Sequence, residues 1–138
     1  MGYGRFMFDL HPRLAADTLF VADWGVSRVL LMNDARYRWI VLVPRVVSAV
    51  ELFDLTQPDR TVLLEEIVKT SQRLKHLTNA TKINVGALGN LVPQLHVHVV
   101  ARTPGDPAWP GPVWGHSPGV PFDAAAGAAF IREFVNAR

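Results

Sequence analysis

Short apolar runs alternate with polar breaks along most of this chain. Thr18–Asp23 is a brief apolar segment that predicts a strand, with Trp24–Gly25 as the turn after it. Arg28–Met32 and Trp39–Val43 are rich in aliphatic, β-branched and aromatic residues. Asn33 and Asp34 supply turn chemistry between them, and Pro44 ends the second run. Two such runs joined by a short polar loop predict an antiparallel hairpin. The period changes after Thr56. Leu63, Ile67, Thr70, Leu74 and Leu77 recur at helical spacing, which predicts a helix over 58–77, with Thr56 as N-cap and Pro58 and Asp59 in the first turn. Glu65 and Lys69 are spaced for an i,i+4 ion pair on its outer side. Alternation returns in Lys82–Leu88 and, most regularly, in Gln94–Arg102, with Gly89–Asn90 as the turn between. His11–Ala16 predicts a helical turn opened by Pro12. Asp123–Arg138 is Ala-rich, carries Phe130 and Phe134 one turn apart, and predicts a terminal helix.

Thr103–Pro121 breaks both patterns. It holds six of the ten prolines, together with Trp109 and Trp114, and predicts a long structured loop. Its tryptophans suit either a pocket wall or an interface. Strands precede and follow one main helix without βαβ alternation, so the expected class is α+β with an antiparallel sheet. At 138 residues the chain is the size of one domain, expected to span 1–138. Its 49% apolar and 19% charged composition can fill a proper core and excludes general disorder.

Charge narrows the partners. Fourteen Lys and Arg against twelve Asp and Glu leave a net +2, and no basic stripe of the kind that tracks nucleic acid. No apolar run is long enough for a membrane span, and Met1–Leu10 carries Arg5 and Asp9 without an apolar core, so no signal peptide is expected. The expectation is a cytoplasmic protein with no nucleic-acid or membrane partner. Cysteine is absent, which excludes disulfides, thiolate metal sites and a cysteine nucleophile. The side chains that titrate near neutrality are five histidines, at 11, 76, 96, 98 and 116.

Two of them stand together. On a strand over 94–102, Gln94, His96, His98 and Val100 share one face, and Leu95, Val97 and Val99 share the other. Three consecutive polar positions opposite an apolar face suit a site platform. They also suit a solvated sheet face, or two imidazoles of a metal site that needs a third ligand. The third reading is nucleophilic. A neutral imidazole attacks phosphorus and leaves again, provided that its other ring nitrogen is held as N–H by an acceptor. A second imidazole nearby can serve the phosphate and leaving group. Gly86 and Gly89 permit close approach of a ligand, and Asn84 and Asn90 offer neutral donors.

The stretch Gln94-Leu95-His96-Val97-His98-Val99-Val100 resembles the signature of the histidine triad (HIT) family, and the likeness extends over residues 18–102. The Trp109–Gly115 segment is similar to that of bacterial members of diadenosine-tetraphosphate-hydrolase type. The resemblance implies a five-stranded antiparallel sheet with one main helix and a C-terminal helix. It implies a nucleotide hydrolase or nucleotidyl transferase acting on a dinucleoside polyphosphate or phosphoramidate through a nucleotidyl-histidine intermediate; a non-catalytic nucleotide-binding protein is the alternative. His96 would be the nucleophile and His98 would contact the phosphate. Asn90, Gly89 and Asn84 would lie toward the phosphates, and Asn33 or Asp34 would bind the ribose. No cofactor is required, although Mg²⁺ can accompany a polyphosphate, and a homodimer is implied. Two positions depart from the family. Gln94 replaces the first histidine of the motif; the acceptor for the nucleophile at that position is a backbone carbonyl, which Gln supplies equally. Trp39 stands near where the family often has a further histidine. His11, His76 and His116 are expected to be structural or superficial.

Overall fold

The computed structural model describes residues 7–138. Residues 1–6, part of the stretch read above as no signal peptide, lie outside the described residues. Five strands form one antiparallel sheet in the order β1-β2-β3-β5-β4. They are β1 Thr18–Asp23, β2 Ser27–Met32, β3 Arg38–Pro44, β4 Lys82–Gly86 and β5 Val97–Arg102. Helix α1 is Pro12–Asp17, α2 is Gln57–Thr78 and α3 is Ala124–Asn136. The expected α+β class, hairpin, main helix and terminal helix are all present. Among the described residues no helix is long and apolar enough to cross a membrane.

The sheet has two dissimilar sides. Val29, Leu31, Ile40, Leu42 and Val99 point to one side, where α2 contributes Leu74 and α3 contributes Phe130 and Phe134. Leu30, Trp39, Val41, Val43 and Val100 point to the other, which is covered by Leu14 of α1 and by Ala108 and Val113 of the long loop. β2 and β3 are therefore apolar on both faces, as strands with two covered sides must be. Thr56 caps α2 by accepting the Asp59 N–H, and Asn79 closes it in the left-handed region. The α2 stripe is not wholly apolar. Glu66 is buried on it, and one of its carboxylate oxygens takes the Val26 N–H of the turn between β1 and β2. The Glu65–Lys69 pair is not among the described ion pairs; the Lys69 ammonium sits 4.2 Å from the Trp24 ring centroid instead.

The regular strand expected over 94–102 begins only at Val97. β5 pairs with β3 as far as Leu42↔Val97, and the next positions of β3 run into Pro44, which has no N–H to give. The Leu95 N–H bonds instead to the Ala49 carbonyl. Gln94, Leu95 and His96 thus form a bent entry to β5. Lys82–Leu88 is likewise shorter, ending at Gly86 opposite His98.

Candidate active site

His98 is fixed by the central strands. It lies opposite Val41 across the β3–β5 ladder, two positions along from the Trp39↔Val100 pair and so on the same face. The Trp39 indole Nε1–H donates to His98 Nδ1 at 3.0 Å. Trp39 and Trp114 both meet the imidazole edge to face, with ring centroids 5.6 and 5.5 Å away. Nδ1 accepts that bond, so in the neutral ring the proton is on Nε2. Burial, helped by repulsion from His96, pushes the His98 pKa from its ordinary 6.5 down to about 3. Below pH 6.5 the unfolded chain takes up a proton here that the native protein refuses. The stability contributed by this residue is thus complete above pH 6.5 and is lost as the pH falls toward 3.

His96 is held differently. Its Nδ1 is 2.7 Å from the Gln94 carbonyl oxygen. A carbonyl can only accept, so Nδ1 carries the proton and Nε2 keeps its lone pair. The two imidazole centroids are 4.9 Å apart. One ring offers an unprotonated Nε2 and its neighbour a protonated one, which together suit attack on a phosphorus and donation to its oxygens.

Both rings line a cleft of about 510 Å³. Its lining includes Leu88–Val92, Trp39 and Trp114, and Arg13, Leu14 and Asp17 of α1. Gly86 leaves room for the Trp114 wall, because a Cβ there would lie 3.1 Å from the indole. Gly89 turns the neighbouring loop at φ +71°, where a side chain is strained. A second depression of about 470 Å³ adjoins this cleft along Arg13, Asp17, Met32, Trp39 and Gly115. Among the described residues, no three His, Asp or Glu side chains are grouped to share a metal ion.

The candidate residues divide into two groups. His96, His98, Gly89 and Asn90 are brought together on the cleft. Asn33 and Asp34 line the adjoining depression, both engaged with the long loop. Asn33 Oδ1 accepts from the Phe122 N–H at 2.8 Å, and the Asp34 carboxylate pairs with Arg36 at 2.8 Å. That guanidinium and two backbone N–H groups hold the Asp34 pKa below its ordinary value, against the opposing effect of burial. Asn84 does not line the cleft: its amide oxygen accepts from the buried Arg102 at 2.8 Å. Gln94 lines only a smaller depression of about 290 Å³ behind His96. Its side chain turns away to the N-terminal segment, because the bent entry to β5 carries it off the face of His98. Of the other histidines, His11 is structural and caps α1 by accepting the Arg13 N–H.

Trp39 is the functional contact that the sequence pattern did not reveal. A tryptophan in a buried strand needs an acceptor for its N–H, and that requirement was the available signal. Trp39→Phe keeps the aromatic wall and deletes the donor. The expected result is that His98 shifts from a nearly pure Nε2–H tautomer to a mixture, read from its ¹⁵N imidazole shifts. Unchanged shifts would show that the indole does not set the tautomer.

The model of the HIT domain family matches residues 13–105. The chain is 45% identical to the histidine triad protein blr8122 of Bradyrhizobium japonicum, with a TM-score of 0.92 over 94% of this chain and 97% of that one. It is 41% identical to the histidine triad protein SMc02904 of Sinorhizobium meliloti, with a TM-score of 0.96 over 98% and 100% of the two chains. A histidine triad protein of Marinobacter aquaeolei is 45% identical, with a TM-score of 0.89 over 91% and 92%. No curated protein sequence matches. The family model covers Arg13 to just beyond β5, including both histidines of the cleft, and the folds superpose over nearly their whole length: the chain belongs to the histidine triad (HIT) family.

Proposed function

We propose that this protein is a nucleotide hydrolase or nucleotidyl transferase that works through a covalent nucleotidyl-histidine on His96. The observation that carries the reading is the 2.7 Å contact between His96 Nδ1 and the Gln94 carbonyl, beside a cleft large enough for a nucleotide. The Nε2 lone pair attacks the α-phosphorus of a nucleoside phosphate derivative. A P–N bond forms, the bond to the leaving group breaks, and the leaving group departs with that electron pair and takes a proton from water. The positive charge that develops on the imidazole is stabilised by the Gln94 carbonyl, which is already aligned with Nδ1–H. His98 stays neutral and donates its Nε2–H to a phosphoryl oxygen. Water then attacks phosphorus, the P–N bond breaks, and the nucleoside monophosphate and free His96 are released.

In this reading Asn33 or Asp34 binds the ribose, and Gly89 and Asn90 serve the phosphates. Dinucleoside polyphosphates and nucleoside phosphoramidates are the substrate classes; Mg²⁺ can accompany the former. The protein acts as a cytoplasmic homodimer in this reading, joined at the free edge of β4, where Val85 is exposed. A panel of dinucleoside polyphosphates, phosphoramidates and adenylylated amines tests the reading: turnover of at least one class, with release of a nucleoside monophosphate, is expected. Tight nucleotide binding with no turnover of any class would assign the protein a binding role instead.

A further inference from the structure

Gln94 occupies the position where the motif of the family has a histidine, and its side chain is occupied elsewhere. Its Oε1 accepts the His11 backbone N–H at 2.8 Å, and its Nε2 donates to the Asp9 carbonyl at 2.9 Å. One primary amide thus satisfies a donor and an acceptor two residues apart, in a segment more than eighty residues away in sequence. An imidazole cannot reproduce this pairing, because its two nitrogens point in divergent directions from a rigid ring. The same residue uses its backbone carbonyl to orient His96.

The clasped segment leads directly into the cleft wall. His11 caps α1, and Arg13, Leu14 and Asp17 follow. Leu14 is buried in the core beneath the long loop, which anchors the far end. Arg13 is the only lysine or arginine among the described residues lining the histidine cleft. It also lines the adjoining depression and is held at 3.1 Å from Asp17. An anionic ligand in the cleft would meet the Arg13 guanidinium in competition with Asp17, which lines the same wall.

We propose that Gln94 is a positioning residue that clasps the segment 9–17 against the motif loop and so holds Arg13 at the mouth of the histidine cleft. Its influence on substrate affinity rests on the function proposed above; the clasp itself does not. The consequence is a division of labour within one residue. The backbone of Gln94 serves the chemical step and its side chain serves substrate binding.

The test combines hydrogen exchange with steady-state kinetics. Gln94→Met keeps the side-chain length and deletes both hydrogen bonds. His11→Pro deletes the N–H donor, at a φ of −53° that proline accepts, and the capping ring with it. His11→Ala keeps that N–H and loses the ring, as a control. Exchange over residues 9–17 is expected to accelerate about tenfold in Gln94→Met and in His11→Pro, and to do so less in His11→Ala. KM for the nucleotide substrate is expected to rise about tenfold in the first two, with kcat within about threefold, because the carbonyl that orients His96 remains. Arg13→Ala is expected to reproduce the KM change without the exchange change. Wild-type exchange in Gln94→Met would overturn the clasp. Faster exchange with an unchanged KM would overturn the link to Arg13. If the wild-type protein turns over no nucleotide, the proposed function fails; exchange then decides the clasp, and the Kd for adenosine monophosphate replaces KM.

Discussion

His96→Ala is expected to lose turnover by on the order of 10⁴-fold or more, while its affinity for nucleotide stays within about threefold of the wild type. The asymmetry follows from geometry. The ring contributes little of the cleft wall, which is made by Trp39, Trp114, the 88–92 loop and α1. Its contribution to the reaction is a single lone pair, on Nε2, made available because Nδ1–H is committed to the Gln94 carbonyl. Alanine removes the nucleophile and leaves that carbonyl without its donor. No neighbouring group replaces the function. His98 Nε2 carries a proton, since Nδ1 accepts from Trp39, and so has no free pair to offer. The check is single-turnover release of nucleoside monophosphate, beside fluorescence titration of the binding step. Residual hydrolysis within a factor of ten of wild type would mean that water is activated directly and that His96 is a binding residue.

Asp106→Ala is expected to lower stability by about 3–5 kcal/mol, because it leaves a buried guanidinium without its counter-ion. Arg102 is 1% exposed at the end of β5. Its Nε and Nη2 bond to the two carboxylate oxygens of Asp106 at 2.7 and 3.0 Å. Asn84 and the Gly111 carbonyl take two of the three remaining N–H donors, each at 2.8 Å. Asp106 also accepts the Trp109 N–H, so that one carboxylate joins the sheet to the start of the long loop. The Arg102 bond holds its pKa below the ordinary 3.8. The pair's contribution is accordingly present above pH 3.8 and is lost as the pH falls through the lower folded value. Thermal unfolding reads the change as a fall of about 10–20 °C for a chain of this length. The double variant Arg102→Met with Asp106→Leu, which removes both charges, is expected to recover much of the loss. A fall of only a few degrees in Asp106→Ala would show that solvent reaches the guanidinium when the carboxylate is gone. The long loop carries Trp114, so a loosened loop also opens one wall of the cleft.

The sheet, both long helices and the pairing of His96 with His98 were legible in the sequence because they depend on local period. A residue's face follows from its neighbours two, three or four positions away, and the apolar pattern recorded it faithfully for β2, β3 and α2. Contacts between distant segments were not legible. Nothing local in Gln94 indicates that its amide meets Asp9 and His11. Alternation placed it beside the histidines, and the strand was cut short where β3 reaches Pro44. Asn84 reads locally as a donor near the phosphates; the opposing β5 brings Arg102 to it instead. Trp39 read as a departure from the family pattern because only residue type was visible. The register of β3 against β5 aims its indole N–H at His98. Glu66 sits on a helical stripe that otherwise reads as apolar, and the backbone N–H that it satisfies lies forty residues earlier.

The central claim is a covalent bond between His96 and the nucleotide, and rapid-quench mass spectrometry of the protein with a hydrolysable substrate tests it most directly. The account predicts a transient adduct of one nucleoside monophosphate group, mapped to the peptide containing His96 and formed no more slowly than turnover. It predicts none in His96→Ala. Steady turnover with no adduct at any quench time, or an adduct that persists in His96→Ala, would contradict it.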